Sequence, residues 1–353
     1  MTNKLSSDPY QLIDRLYRGD KLTRTEFLIL VDGYTPHLAE YAGRLARERC
    51  DEIYGKRVYI RGLIEISNIC KNNCLYCGIR RDNTSCDRYR LTPCEILECC
   101  DEGYSLGFRT FVLQGGEDGY FTDDILVELI KDIKAKYPDA AITLSLGERS
   151  HESYMRLREA GADRYLLRHE TADAEHYQRL HPENMTLAGR MECLNSLYRL
   201  GYQVGIGFMV GSPYQTNENI ARDLEFISDF PASMCGIGPF IPHDKTPFAT
   251  MKPGTLSMCT YLISLIRLIK PKLLLPATTA LGTIAEGGRE MGILAGANVV
   301  MPNLSPKSVR KKYGLYNNKL TDGAESAECL SELKRRLALI GYEVVVDRGD
   351  AKI

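Results

Sequence analysis

The sequence predicts an α/β chain built as a complete (β/α)8 barrel of the TIM type with an N-terminal helical appendage. Three observations lead there. From about residue 58, apolar β-branched runs alternate with longer segments of helical period, the mark of a parallel sheet with crossover helices. The runs number eight, which is the number that closes a barrel. Polar residues and glycines follow most runs directly, as expected where barrel loops carry chemistry.

Residues 8 to 54 read as two or three amphipathic helices, with Phe27, Leu28, Leu30 and Val31 as the face that packs on the barrel. The eight runs are 58–67, 110–116, 141–146, 164–170, 203–210, 235–242, 273–279 and 298–303. Between them, Thr92-Pro93 and Thr122 followed by Asp123 and Asp124 open helices, and Gly161 and Gly201 close two more. The expected division is a helical extension over 1–57, a barrel over 58–310, and a C-terminal segment with a closing helix over 311–353.

Composition narrows the function class. A net charge of −1, with 44% hydrophobic and 26% charged residues, is ordinary for a soluble globular protein and argues for no nucleic-acid partner. No apolar run is long enough to span a bilayer, and the opening MTNKLSSDPYQLIDRLYRGD lacks a secretory apolar stretch, so the expectation is a cytoplasmic protein with no membrane partner. The 12 cysteines are then expected to be reduced, and most are scattered.

One group is not. Cys70, Cys74 and Cys77 put three thiols on a short loop directly after the first run, close enough to converge on one metal centre. A structural zinc site would require a fourth ligand, and Cys86 is the only close candidate. Other residues at run ends include Ser67, Asn68, Gln114 to Asp118, Ser145 to Glu148, Arg168, His169, Glu170, Gly211, His243, Asp244 and Asn303, the lining of a cleft. On the fourth run Arg164 and Arg168 share a face, and two lumen-facing arginines call for an anion to pair with them or for an ion-pair network with Glu148 and Glu170.

The C-x3-C-x2-C spacing after the first strand, with Tyr76 before its last cysteine, resembles the radical S-adenosylmethionine (SAM) superfamily signature. That resemblance implies a 4Fe-4S cluster held by Cys70, Cys74 and Cys77, with SAM on the remaining iron, and reductive cleavage of SAM to a 5′-deoxyadenosyl radical. ISNICKNNCLYCGIRRDN, VLQGGED, LSLGE, DRYLLRHET, GIGPFIPH, PATTALGT and GANVVMPN are together similar to the HydE family of FeFe-hydrogenase maturases, across essentially the whole barrel. The family resemblance implies a role in assembling the hydrogenase two-iron subcluster from a small organometallic or amino-acid-derived substrate. It also implies an electron donor such as ferredoxin or flavodoxin, and other hydrogenase maturases as possible partners.

Carried over by position, the resemblance assigns Tyr76, Gln114, Gly115, Gly116 and Glu117 to the SAM site, Glu170 to the ribose, Arg190 to the SAM carboxylate and Met234 to the neighbourhood of the sulfonium. Taken alone, Arg190 reads as a solvated helix residue and Met234 as core filler. The implied substrate cavity is lined by Thr143, Arg164, Arg168, Met301 and Tyr316. Thr278, Thr279 and Gly282, with the turn Glu286-Gly287-Gly288-Arg289, resemble a backbone anion site. Some family members carry a second cysteine trio near the C-terminus; the positions here are Thr321, Cys329 and Glu332, so one cluster is expected.

Three other readings compete. A methylornithine synthase would also use an arginine-lined lumen for an amino acid. A biotin synthase would need further cysteines on strands three and four, which have none. A non-catalytic carrier of an iron complex would use the cysteine loop for structure alone.

Overall fold

Three capped helices open the chain in the computed structural model, which describes residues 8–352; the first seven residues of the expected extension, and residue 353, lie outside the described residues. The helices are Pro9–Arg18, Arg24–Asp32 and Pro36–Tyr54, N-capped by Asp8, Thr23 and Thr35. Thr23 and Glu26 form a capping box, satisfying two amide donors reciprocally. Phe27, Leu30 and Val31 are buried on the second helix, which packs against helix Asn217–Asp229, while the third packs against Leu256–Ile269.

The strands are β1 Arg57–Ile60, β2 Gly62–Ser67, β3 Thr110–Gly115, β4 Ala141–Ser145, β5 Arg164–Leu166, β6 Gln203–Ile206, β7 Met209–Val210, β8 Met234–Cys235, β9 Gly238–Pro239, β10 Val299–Val300 and β11 Glu343–Val345. A parallel six-stranded sheet runs in the order β2-β3-β4-β5-β6-β8. A second parallel sheet has the order β10-β1-β11. Isolated parallel bridges join Met234 to Leu274, Pro276 to Val299 and Asn303 to Leu63.

The runs read from sequence are shorter in the structure, for identifiable reasons. The seventh contributes bridges at Leu274 and Pro276 and no strand, because proline has no N–H for the ladder. The fifth breaks between β6 and β7 at Gly207, whose φ is +153° and where a β-carbon would lie 2.0 Å from the Gly236 carbonyl oxygen. The fourth ends at Leu166, and the chain turns to present Glu170 at φ +64°. Thr92 and Thr122 cap the helices Pro93–Ser105 and Asp123–Lys136 as expected, the first through a capping box with Glu95.

One face of each strand packs on the helices: Ile64, Ile66, Phe111, Leu113, Ile142, Leu144, Tyr165, Val204 and Ile206 all join the main core. Alternation therefore turns Arg61, Val112, Thr143 and Leu166 the other way, where they share a cavity of about 20 Å³ with Met234, Gly236, Pro276 and Met301. Beyond helix Leu330–Leu339 and β11, the chain returns to the starts of β3, β5 and β6. There the Arg348 carbonyl accepts from Thr110 Oγ1 at 2.7 Å, and Asp350 accepts from Gln203 Nε2 at 3.0 Å.

Candidate active site at the strand ends

The segment after β2 has little regular structure, so polar side chains hold it. Asn68 Nδ2 donates to the carbonyls of Asp87 at 2.9 Å and Lys312 at 2.8 Å, and its Oδ1 accepts from Tyr89 N–H at 2.8 Å. Arg88 donates to the carbonyls of Asn68, Ile79 and Arg80 at 2.5, 2.8 and 2.6 Å, so the loop folds around one guanidinium. Arg90 forks onto Asp118 at 2.7 and 2.8 Å, and Ser67 Oγ donates to the same carboxylate at 2.7 Å. This brace ties the base of the loop to the residues after β3.

Cys70, Cys74 and Cys77 lie half-buried on that loop. Burial pushes all three thiols up, Cys77 to about 12, and Cys74 is raised further by its neighbours Cys77 and Cys70. Three such thiolates require a cationic centre to form. Among the described residues no three His, Cys, Asp or Glu side chains converge tightly enough for a single ion, whereas a polynuclear cluster spreads its ligands over several irons. Cys86, the one candidate for a fourth zinc ligand, is otherwise engaged: it accepts from Asn68 Nδ2 at 3.5 Å and packs against the core. The donor set fits an iron–sulfur cluster with an open position.

The glycines after β3 permit close approach. A β-carbon at Gly116 would lie 2.2 Å from the Ile69 carbonyl oxygen and 2.8 Å from Cys70 Cβ, so only glycine lets this strand end meet the cysteine loop. Glu117 N–H donates to Cys70 Sγ at 3.4 Å. The Glu117 carboxylate accepts from Glu148 N–H at 3.0 Å and pairs with Lys71 at 3.2 Å, lying over Gly147. Glu117, Glu148 and Lys71 also line a cleft of about 370 Å³ beside this element. Gln114 meets the Tyr313 hydroxyl below it.

Glu170 and Arg190 close the other side. Arg190 is 7% exposed, which overturns its reading as a solvated arginine; Nε donates to Glu148 at 2.6 Å and Nη1 to the Arg168 carbonyl at 2.5 Å. Glu170 pairs with Arg168 at 3.0 Å, the network read as one alternative from the sequence. Both Glu170 and Arg190 act electrostatically on Cys74, which places them beside the cysteine loop. Tyr76 Oη lies 3.2 Å from His181 Nε2, whose ring stacks on Tyr177.

The face of the sheet turned away from the helices brings some expected residues together and redirects others. Thr143 and Met301 line the cavity, with Thr143 Oγ1 buried and, among the described residues, without a hydrogen-bond partner. Arg164 is corrected: its Nη2 donates to Asp350 at 2.6 Å and to the Arg348 carbonyl at 2.9 Å, so the chain itself supplies the anion. The arginine left in need of one is Arg61, missed in the sequence. It is 5% exposed, Nη1 donates to Met234 Sδ at 2.9 Å, and among the described residues Nε and Nη2 have no hydrogen-bond partner. Its only sequence signal was a charge inside the first apolar run. Met234 lines the same cavity and packs in a cluster with Tyr59, Leu274 and Val299. Tyr316 meets Thr283, and burial pushes its hydroxyl up.

The anion site expected at Thr278, Thr279 and Arg289 is filled by a carboxylate of the chain. Glu325 accepts from Thr279 Oγ1 at 2.8 Å and pairs with Arg289. Gly288 serves packing, since a β-carbon there would lie 2.0 Å from the Leu281 carbonyl oxygen. Of the positions Thr321, Cys329 and Glu332, the last pairs with Arg335 at 2.8 Å and Thr321 Oγ1 lies 3.2 Å from Asp322.

The chain is similar to several known proteins. Residues 64–227 match the model of the radical SAM superfamily. The chain is 43% identical over 309 residues to the [FeFe] hydrogenase maturase subunit HydE of Thermotoga maritima, covering 88% of each chain. Among solved structures it superposes on methylornithine synthase (PylB) with a TM-score of 0.83 at 27% identity, covering 95% of this chain and 97% of the other. The hydrogenase maturase HydG shares the fold, with a TM-score of 0.80 at 21% identity over 97% of this chain and 77% of that one.

Proposed function

Since the chain belongs to the HydE family within the radical SAM superfamily, we propose that it cleaves SAM reductively at a 4Fe-4S cluster to build the two-iron subcluster of FeFe-hydrogenase. The observation that carries the site is Gly116: no other residue lets the glycine element seat against Cys70 and its loop. Cys70, Cys74 and Cys77 would hold the cluster, and Glu117, Glu170 and Arg190, with the backbone of Gly115 and Gly116, would hold SAM. When bound, the cluster and SAM supply a 5′-deoxyadenosyl radical.

The residues of the chain then bind, orient and exclude water. Glu170 would accept from the ribose hydroxyls, and Arg190, fixed by Glu148, would present its guanidinium to the SAM carboxylate. Arg61, Thr143 and the Nε of Arg168, whose Nη2 is paired with Glu170, offer donors to a small anionic or carboxylate-bearing substrate, since a buried donor without a partner is stabilised by any anion that reaches it. Leu166, Pro276 and Met301 keep that space apolar. The bridges at Leu63, Leu274 and Pro276 support closure of the sheet into a complete barrel around it. The electron would come from a ferredoxin or flavodoxin in an anaerobic cytoplasm, and other hydrogenase maturases would receive the product. Among the described residues no helix is long and apolar enough to cross a membrane.

The test is anaerobic reconstitution with iron and sulfide, then electron paramagnetic resonance of the reduced protein with and without SAM, on wild type, Cys74→Ala and Cys86→Ala. A cluster signal shifted by SAM, lost in Cys74→Ala and kept in Cys86→Ala, is expected. Zinc on the cysteines, or a signal indifferent to SAM, refutes the proposal. Formation of methylornithine from lysine would transfer the chain to a methylornithine synthase function instead.

A further inference from the structure

Glu170 occupies a backbone conformation that its residue type disfavours. Its φ is +64°, in the left-handed region where a β-carbon crowds the carbonyl oxygen. The residue is joined to the sheet by one bridge, to Phe208, with its N–H donating to the Gly207 carbonyl at 3.0 Å. Something further must hold this turn, because strained positions persist only where the surroundings over-determine them.

The surroundings here are His169 and Asp223, both fully buried. His169 Nδ1 accepts from Gly207 N–H at 3.2 Å, which places the ring proton on Nε2, 3.3 Å from Asp223 Oδ1. The same carboxylate oxygen accepts from Ala172 N–H at 2.5 Å. Asp223 stands on helix Asn217–Asp229, so one carboxylate hydrogen-bonds residue 172 and lies in contact with residue 169, on either side of Glu170, from a rigid element. The His169 ring is wedged edge-on against Phe226, 4.7 Å between centroids, with Phe208 on another side at 6.0 Å. Neither residue lines the cavity or the cleft. A buried pair of this kind is seldom worth more to stability than apolar residues of the same volume, so its placement on both sides of a strained glutamate is the informative fact.

We infer that His169 and Asp223 are positioning residues that hold the Glu170 turn in its left-handed conformation and so fix the carboxylate that meets SAM. The inference rests on the reading of Glu170 as a SAM contact. The pair acts through backbone geometry and touches no reacting atom.

The experiment measures equilibrium binding of SAM to cluster-loaded protein for Glu170→Ala, His169→Phe, Asp223→Leu, Asp223→Asn and the double variant His169→Phe/Glu170→Ala. His169→Phe and Asp223→Leu should each weaken SAM binding about tenfold, with the cluster signal in the absence of SAM unchanged. Asp223→Asn keeps an acceptor for Ala172 N–H and should lose less than about threefold. The double variant should bind no more weakly than Glu170→Ala, because both changes act through one carboxylate. Should His169→Phe not fold, Asp223→Leu and its double variant with Glu170→Ala carry the same comparison. Losses that add to that of Glu170→Ala, or wild-type affinity in a folded His169→Phe beside a weakened Glu170→Ala, overturn the inference alone. Wild-type affinity in Glu170→Ala overturns the reading of Glu170 and the inference with it.

Discussion

Arg164 and Asp350 stand 186 residues apart in sequence and 2.6 Å apart in space, the arginine fully buried at the start of β5 and the aspartate on the returning C-terminal segment. A guanidinium in that position needs a partner, and the returning segment provides one. Asp350→Ala should therefore destabilise the fold by about 3 kcal/mol, because breaking a buried pair strands the other charge. Asp350 is partly exposed, so solvent screening sets that figure as an upper one. Replacing both partners by Met and Leu should recover much of the loss. Urea unfolding of the two variants decides it: equal destabilisation of single and double variants would show that the charge pair is not what closes this end.

The contact between Gly116 and the cysteine loop gives a second prediction. A methyl group there meets a backbone carbonyl at 2.2 Å, and backbone does not yield as a flexible side chain would. Gly116→Ala should fold, with a small loss in melting temperature, yet bind less than half the wild-type iron and sulfide after reconstitution, because the loop bearing Cys70 is displaced. Gly119→Ala is the control, since nothing lies within 4 Å of a β-carbon at that position. Full iron content in Gly116→Ala would remove the steric argument for this glycine.

What the sequence made legible, and what it hid, divides along contact range. Thr92 with Pro93, Thr122 and the helix-ending Gly161 and Gly201 were readable because caps and helix ends are decided within a few residues. The three clustered cysteines were readable because their spacing is local. The partner of Arg164 was not, nor was Glu325, which fills the anion site read at Thr279 and Arg289, because each arrives from a distant segment. Arg61 was passed over for the complementary reason. It looked like an interruption of an apolar run, and only the alternation of β2 with its neighbours shows that it faces an enclosed space.

Acid should loosen the base of the cysteine loop. Burial pushes the Asp118 carboxyl up, but Arg90, Ser67 and the Tyr120 N–H together hold it below the usual carboxylate range. A depressed folded-state value means that the stabilisation is fully present above the unfolded value, about pH 4, and is lost as pH falls through the lower folded one. Asp118→Asn should be less stable than wild type at pH 7 by about 1.5–3 kcal/mol, the range for hydrogen bonds to a charged group. The gap should narrow steadily below about pH 4. Denaturant midpoints of both proteins across that range measure it, and a gap independent of pH would assign the loss to packing.

Arg61 separates substrate binding from stability. Its guanidinium is buried, donates to Met234 and among the described residues leaves Nε and Nη2 without hydrogen-bond partners, so its charge is poorly solvated in the protein as it stands. Arg61→Met keeps the apolar stem and removes the charge. The fold should then be unchanged or stabilised by about 1–3 kcal/mol, the opposite sign from most buried substitutions. SAM binding should change less than about threefold, because Glu117, Glu170 and Arg190 do not line the cavity that Arg61 shares with Thr143, Met234 and Met301. Substrate-dependent consumption of SAM should fall at least tenfold, while its slow cleavage without substrate continues. Calorimetry and 5′-deoxyadenosine yield, measured on the same preparation, give both halves of the comparison. A variant that melts well below wild type would show that Arg61 is held by groups within the fold, and the lumen would then need another donor for an anionic substrate.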